Sequence, residues 1–314
     1  MLELDYPSDA FIAQFARTHR LTPADVLRDI ARLVAIHQMT VETKFLNDNC
    51  VLCGGVAMHF YGSRRFTVTD TDASYRLDDW DELDLQAALD IEVEDLTIEA
   101  ADPAYWQRKN RLTTAQPVEF SEEFSNFRSD RRQRTFKVTV SRRGLIEPAC
   151  WRPIVHDYPD MGIEDVVVPI MNINEQLAEK ILGWSVNGLA KHYLDCAWIS
   201  GQMRAELSRE TIIGCLTKKL SDAKQREPSN YAAFASVDDL HKPLEEGDSW
   251  TPKSMSGSFA PAAKSQLQVW SSMYPPRGDP DEDGHHYVDA CRLGTAGYHR
   301  RAGRYGGLRN DLHP

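Results

Sequence analysis

Three patterns of residue types that could carry chemistry lie close together in the chain. They fall within residues 50–72, CVLCGGVAMHFYGSRRFTVTDTD. The CxxC of residues 50–53 could hold a metal ion or form a redox disulfide. The Gly54-Gly55 pair could let backbone N–H groups approach a phosphate. The Asp-x-Asp of residues 70–72 could bind a divalent cation. These patterns favour different proteins, so the surrounding sequence has to decide among them.

The Asp-x-Asp pattern indicates a cation site because of the strand on which it lies. The alternation in RFTVTDTDASYR predicts a strand. Residues two apart on a strand share a face, so Asp70 and Asp72 would lie side by side while Thr71 points away. Two adjacent carboxylates repel each other unless a cation lies between them. Mg²⁺ is the expected cation because it takes oxygen ligands and completes its shell with substrate phosphates.

The Gly54-Gly55 pair strengthens the interpretation as a phosphate-handling site. CVLC predicts a short buried strand, and VAMHFYG predicts a helix that ends at Gly62. Glycines between a strand and a helix can present N–H groups to an anion, and a phosphate cradle beside a cation site suits phosphoryl transfer. The CxxC has no second Cys or His cluster at metal spacing beside it. We therefore expect Cys50 and Cys53 to be buried core residues.

The predicted elements on either side of this stretch are helices before it and strands after it. Ser8 can cap a first helix, and Thr22 followed by proline can start a second. The acidic segment 78–102, which contains no Lys or Arg, is expected to form a solvated helix. Strands are predicted at VEFS and at RTFKVTVS. The basic stretch 128–143 contains the last of these strands, and its polar side faces either phosphates or solvent.

Beyond about residue 165 the pattern becomes helical. Two amphipathic segments, MNINEQLAEKILGWSV and LAKHYLDCAWIS, are separated by Asn187-Gly188, a strong turn signal. If that turn joins two antiparallel helices, Lys180 and Asp195 lie at equal distances from it and could face each other. We predict a first domain over 1–165, a helical domain over 166–245 that completes the site, and a partly flexible linker and extension over 246–314.

The composition bounds the classes of protein that remain. The chain has 314 residues, 42% hydrophobic and 26% charged, with a net charge of −11. A uniformly basic nucleic-acid binder is therefore excluded. No apolar run reaches the length of about 18 residues typical of a membrane helix, and the first residues lack the pattern of a signal peptide. We expect a cytoplasmic enzyme without a membrane partner.

Three separated blocks resemble the polymerase-β nucleotidyltransferase superfamily. Gly-Gly followed by Asp-x-Asp is typical of that superfamily. The strings VLCGGVAMHFYGSRRFTVTDTD, INEQLAEKILGW and AKHYLDCAW occur in the right order within roughly residues 22–200. Together they resemble the AbiEii-type (MenT-like) nucleotidyltransferase toxins of bacterial toxin–antitoxin pairs. The resemblance implies an α+β fold, with a polymerase-β-type mixed sheet flanked by helices and followed by a mainly helical C-terminal region.

The resemblance also implies an activity and a set of site residues. It implies Mg²⁺-dependent transfer of NMP from an NTP to an RNA acceptor, especially the tRNA 3′ end, by a toxin that has a cognate antitoxin protein. Mn²⁺ is the alternative ion. The implied catalytic residues are Asp70, Asp72, Lys180 and Asp195, of which Asp70 and Asp72 hold the metal and Lys180 meets the triphosphate. The implied nucleotide-binding residues are Gly54, Gly55, Ser63, Arg65 and Lys137.

Several positions depart from the family pattern and keep two alternatives open. Thr139 stands where superfamily members usually place a third carboxylate, and Glu119 is a weak candidate to replace it. Family members carry Lys-Asp where this chain has Lys191-His192. One alternative is a catalytically decayed nucleotidyltransferase scaffold that only binds RNA or an antitoxin. The other is an Asp-x-Asp glycosyltransferase, which would require several βα units before residue 70.

Overall fold

The fold was analysed in a computed structural model that describes residues 4–63, 70–75, 82–101, 113–127, 130, 133–141, 144–187, 190–226, 228–232 and 236. The chain divides into two compact units. The first comprises 1–61 and 65–176, and the second comprises 62–64 and 177–314. The predicted extension 246–314 and the predicted nucleotide-binding residue Arg65 lie outside the described residues.

The first unit combines helices with a mixed sheet. Its helices are α1 (Asp9–His19), α2 (Pro23–Val41), α3 (Phe45–Asp48), α4 (Gly54–Phe60), α5 (Glu82–Ala88) and the start of α6 (Ile173–Asn187). Its strands are β1 (Cys50–Cys53), β2 (Asp70–Tyr75), β3 (Ile91–Val93), β4 (Leu96–Ala100), β5 (Thr113–Glu122), β6 (Thr135–Ser141), β7 (Cys150–Pro153) and β8 (Val167–Ile170). Among the described residues these strands form one sheet in the order β3-β4-β5-β6-β2-β1-β8-β7. The predicted α+β class with a mixed sheet is confirmed.

The two N-terminal helices begin where their capping residues predicted. The Ser8 side chain accepts a hydrogen bond from the Phe11 backbone N–H, and Thr22 forms a capping box with Asp25. Each cap satisfies backbone donors that have no partner within the helix. Helix α2 is buried along nearly all of its length, including Arg32, which pairs with Asp29 one turn earlier in the helix.

The centre of the sheet is built from segments that are far apart in the chain. Strand β1 runs antiparallel to β2 and parallel to β8, and β2 runs parallel to β6. Strand β2 is therefore an interior strand that is hydrogen-bonded on both sides. Its backbone is fixed by two neighbours, and this holds the strand that carries the predicted acid pair.

The acidic segment 78–102 differs from the prediction of one helix. Helix α5 occupies only its early part, and a hairpin of β3 and β4 follows. Ile91 and Val93 are buried on one strand, and they pair with Ile98 and Leu96 on the other. Alternating burial of these apolar residues outweighs the helix-favouring acidic composition. Two short strands before α6, β7 and β8, were also not predicted.

The second unit is helical in its described part. It contains α6 from Leu177 onward, α7 (Ala190–Gln202), a 3₁₀ turn (Arg204–Glu206), α8 (Arg209–Arg226) and α9 (Pro228–Tyr231). Lys219 on α8 lies 2.8 Å from the Glu179 carboxylate on α6. The mainly helical C-terminal region was predicted. Of the described helices, none is both long and apolar enough to span a membrane.

Candidate functional site

The predicted acid pair and the Gly-Gly pair come together at one end of two neighbouring strands. Cys53, the last residue of β1, is the register partner of Asp72 on antiparallel β2. Gly54 follows Cys53 directly and begins α4. Because β2 runs in the opposite direction, its first residues, Asp70 and Thr71, extend past the end of β1 alongside the glycine turn. We call the turn at Gly54-Gly55 together with the start of β2 the strand-end corner.

Gly54 adopts a backbone conformation that favours glycine. Its φ is +64°, in the left-handed region. This conformation occurs where β1 passes directly into α4, with no residue between the two elements. Side chains with a Cβ disfavour it by about 1–2 kcal/mol. The first of the two glycines is therefore needed to form the turn, independently of any ligand.

We expect Gly54→Ala to lower the free energy of unfolding by about 1–2 kcal/mol, because a residue with a Cβ is strained in the left-handed backbone conformation. Gly214→Ala is the matched control. Gly214 is an exposed position inside α8 where an added Cβ has nothing within 4 Å. Removing glycine's extra backbone freedom there should raise stability by about 0.5–1 kcal/mol. Urea denaturation of both variants would measure the difference. Equal effects of the two changes would contradict the assigned turn.

Strand β6 supplies the other side of the corner. In the register of β2 with β6, Asp70 pairs with Lys137 and Asp72 pairs with Thr139. Burial alternates along β6, and both Lys137 and Thr139 lie on its half-exposed face. Lys137 is therefore next to the acid pair in the sheet, as a residue predicted to bind the nucleotide would need to be.

Thr139, which stands where the family resemblance implies a third carboxylate, is a hydroxyl residue. It is the direct neighbour of Asp72 in the register. On β5 the partner of Thr139 is Ala115, while Glu119 pairs with Thr135. Glu119 is therefore four residues away along the strand, about 13 Å at the usual rise. It does not take the place of a third carboxylate.

The donor set at the corner has the chemistry that Mg²⁺ requires. Asp70 and Asp72 are residue types with carboxylate oxygens, and Thr139, the register partner of Asp72, is a residue type with a hydroxyl. Hard oxygen donors, completed by substrate oxygens, are the ligands of Mg²⁺ in phosphate-handling sites. The residues present therefore fit the predicted ion.

The two cysteines of the CxxC behave as core residues. Cys50 and Cys53 are both buried. Burial raises the pKa of the Cys50 thiol to about 12, so the thiolate that metal binding or redox exchange needs is not populated near neutrality. This supports the expectation that the pair contributes packing rather than metal or redox chemistry.

In the second unit, Lys180 and Asp195 form a buried ion pair. The Lys180 Nζ lies 2.8 Å from the Asp195 Oδ2, and the two side chains are 7% and 2% exposed. The two residues face each other between α6 and α7, as their equal distances from the predicted turn suggested. Their contact is observed, and their catalytic role remains a prediction.

His192, at the position where family members carry the Asp of Lys-Asp, lies close to Gly183 of α6. A Cβ built on Gly183 of α6 would lie 3.1 Å from the Nε2 of His192 on α7. The His192 ring therefore packs against α6 at the position where Gly183 has no side chain.

The remaining predicted residues have different outcomes. Ser63 is 6% exposed, so it is buried just beyond α4. Gly55 is buried in the first turn of that helix. One residue at the corner was missed. Gln176 is fully buried, and its side-chain Nε2 donates a 2.7 Å hydrogen bond to the Gly54 carbonyl. A glutamine in an amphipathic helix gives no sequence signal for such a contact.

Comparisons with known proteins identify a family and a similar fold. The sequence model of the family described as "Nucleotidyl transferase AbiEii toxin, Type IV TA system" matches residues 39–262, more than half of the chain. Among solved structures, the chain is similar in fold to MenT4, a nucleotidyltransferase toxin from Mycobacterium tuberculosis H37Rv. The TM-score is 0.52 at 14% identity, over 91% of this chain and 97% of that one.

A second solved structure, JHP933 from Helicobacter pylori, aligns with a TM-score of 0.41 at 11% identity, over 92% of this chain and 99% of that one. No curated protein sequence matches the chain. The match to the family over residues 39–262 is what assigns the chain. This protein belongs to the AbiEii nucleotidyltransferase toxin family.

Proposed function

We propose that this toxin transfers NMP from an NTP to an RNA acceptor in a Mg²⁺-dependent reaction, and that the acceptor is the 3′ end of tRNA. The observation that carries the proposal is the register partnership of Cys53 and Asp72. This register supports the proposal because the Gly54-Gly55 turn follows Cys53 directly, next to the strand that carries Asp70 and Asp72. These are the two components that phosphoryl chemistry needs next to each other.

Each residue at the corner has a separate proposed task. Backbone N–H groups at Gly54-Gly55 bind the triphosphate, and Arg65 adds positive charge to it. Lys137, half-exposed beside Asp70, offers an ammonium group to a phosphate oxygen. Asp70 and Asp72 would hold the Mg²⁺. When bound, the ion neutralises charge on the phosphates and lowers the pKa of the attacking hydroxyl.

Lys180 and Asp195 are proposed to act as the family resemblance implies. Lys180 meets the triphosphate, and Asp195 holds the lysine side chain through the buried ion pair. A lysine whose ammonium is already fixed by a carboxylate loses less side-chain freedom when a phosphate arrives. Ser63 is also proposed to bind the nucleotide. Because the residue is buried, we propose that its backbone, rather than its hydroxyl, makes the contact.

The choice of RNA as acceptor rests on charge and on the family. Basic residues concentrate in the stretch 128–143, which contains β6, although the whole chain has a net charge of −11. In β6, Lys137 is the register partner of Asp70, and positive charge there can attract a phosphate backbone. Transfer between an NTP and tRNA would take place in the cytoplasm, where a cognate antitoxin protein would limit it.

Incubation of the purified protein with total tRNA and each of the four radiolabelled NTPs in turn tests the proposal. We expect label in tRNA from at least one NTP in the presence of Mg²⁺, and no label when EDTA removes the metal. Addition of Mn²⁺ after EDTA should restore labelling, because it accepts the same oxygen ligands. Transfer that continues in EDTA would contradict a metal-dependent site.

The decayed binding scaffold remains the second candidate because Thr139 replaces a carboxylate beside Asp72. Calorimetry with Mg-NTP distinguishes the two functions. An active enzyme should bind Mg-NTP and label RNA. A decayed scaffold should bind RNA, or an antitoxin, without labelling it by any NTP. The glycosyltransferase alternative is set aside because the chain belongs to a nucleotidyltransferase family and because the described segments before β1 are helices.

A further inference from the structure

We propose that Gln176 is a positioning residue that aims the Gly55 N–H at the nucleotide triphosphate. The inference rests on the proposed function, because it assigns a task within the same strand-end corner. The observation behind it is a single contact over a long sequence separation. The Gln176 side chain donates a 2.7 Å hydrogen bond to the Gly54 carbonyl, 122 residues away in the chain.

The planarity of the peptide bond links this contact to the opposite side of the turn. The Gly54 carbonyl and the Gly55 N–H belong to one peptide unit, and in a trans peptide they point in opposite directions. A donor that fixes the carbonyl from one side therefore fixes the direction of the N–H on the other. Gln176 thus orients a backbone donor that it does not touch.

The turn needs such a restraint because of the glycines that form it. Gly54 has a φ of +64°, and a glycine pair can rotate its peptide unit with little steric resistance. Rotation of that unit would turn the Gly55 N–H away from a bound phosphate. The hydrogen bond from Gln176 removes this freedom in advance. A preorganised donor costs no reorganisation when charge arrives.

The chemistry of Gln176 itself indicates that its donor is the important group. The residue is fully buried, and within the described part of the chain its Oε1 accepts no hydrogen bond. A buried amide oxygen without a partner is unfavourable. An apolar residue of the same size would avoid that cost, so packing alone does not explain the glutamine. The hydrogen bond to the Gly54 carbonyl explains why a glutamine is present.

The matching contact at the other end of α4 provides a control. The Tyr61 hydroxyl, one residue beyond the helix, donates a 3.0 Å hydrogen bond to the Met171 carbonyl. That bond joins the same helix to the same chain segment as the Gln176 bond does. It lies at the end of α4 away from the glycine turn. Tyr61→Phe removes one hydrogen bond without changing the orientation of the Gly55 N–H.

The test compares Gln176→Met and Gln176→Leu with Tyr61→Phe in steady-state transfer. Methionine keeps the length of the side chain without a donor, and leucine is a shorter apolar residue that also lacks one. We expect both Gln176 variants to raise the KM for the NTP by about 10-fold to 100-fold, with the KM for RNA unchanged. Tyr61→Phe should leave both KM values unchanged. Calorimetry with Mg-NTP should show the same loss of nucleotide affinity.

The outcomes separate this inference from the function on which it rests. Wild-type KM values in both Gln176 variants, with an active unchanged protein, would overturn the positioning role alone. Absence of transfer and of NTP binding in the unchanged protein would overturn both. If the Gln176 variants do not fold, hydrogen exchange of the unchanged protein decides. Mg-NTP should then protect the peptides covering 53–57 and 171–177 together, and protection of the first alone would contradict the role.

Discussion

Asp70→Asn should reduce nucleotidyl transfer by at least about 10²-fold to 10³-fold, the size of effect expected when one preorganised charged or polar group is removed from a transition state. Asparagine keeps the shape of aspartate but supplies no negative charge to a bound cation. Asp70 lies in the interior strand β2, beside Lys137 in the register. Its loss leaves Asp72 as the one carboxylate residue of the predicted pair, and among the described residues the register partner of Asp72 on β6 is Thr139, not a further acid. An enzyme with only two carboxylates should tolerate the removal of one poorly.

The measurement is the initial rate of label transfer at saturating NTP, together with circular dichroism to establish that the variant is folded. Glu119→Gln is the matched control. It removes one carboxylate from the same sheet at a register position away from the acid pair. We expect this control to keep the wild-type rate. Full activity of Asp70→Asn, or an equal loss in Glu119→Gln, would refute the proposed metal site.

Lys180→Met should destabilise the folded protein by about 3–5 kcal/mol, because it leaves the Asp195 carboxylate buried without its cation. The pair is 2.8 Å apart, and both side chains are almost fully buried. Asp195→Leu should destabilise the protein by a comparable amount, because it leaves the Lys180 ammonium buried without its carboxylate. The double variant should recover much of the lost stability, since a buried ion pair can be replaced by apolar side chains of similar size at little cost. Urea denaturation of the four proteins closes the cycle.

The same four proteins separate a structural lysine from a catalytic one. If Lys180 contacts the triphosphate, the double variant regains stability but not transfer. Recovery of both would show that the lysine only holds Asp195. Lys219→Met is the control for losing a lysine that is paired to α6. Its partner Glu179 is 23% exposed, so water can solvate the remaining carboxylate. We expect a smaller loss of stability there and an unchanged rate.

The sequence predicted that the glycine turn and the acid pair lie at one end of one sheet, but not the register of the two strands. Alternation placed Asp70 and Asp72 on one face of a strand, and the turn signal at Gly54-Gly55 marked the end of another. The partnership of Cys53 with Asp72 depends on how two strands slide against each other. The period of two fixes a face but not a register, because a shift by two residues keeps every side chain on its face.

The elements that were missed are short and carry mixed signals. The hairpin of β3 and β4 buries Ile91 and Leu96, but acidic residues around them favoured a helix. Glu94 in the turn has a φ of +46°, which its residue type does not reveal. Strands β7 and β8 contain Pro153 and Pro169, and proline argues against a strand in any sequence pattern. Tertiary pairing formed these elements in spite of their local preferences.

Sequence patterns could not predict the side-chain contact at the corner, for a different reason. Gln176 lies in a helix whose spacing is fully explained by amphipathicity, so nothing sets it apart. The family resemblance singled out Lys180 and Asp195, and the turn signal between them, at comparable distances from both, made their contact expected. A contact between two residues can be predicted when a turn between them brings the two elements that carry them together. No such geometry links Gln176 to a glycine 122 residues earlier.

The order of the strands has a consequence for the toxin while the ribosome is still making it. Strand β1 has β8 as its neighbour on one side, through the pairing of Leu52 with Ile170. A growing chain that has emerged only through β2 therefore lacks that neighbour, as well as the donor that restrains Gly54. Pairings this distant along the chain form late in folding. Translation must pass Gln176, beyond the midpoint of the 314 residues, before the corner can close, so a truncated nascent toxin should be harmless to the cell that synthesises it.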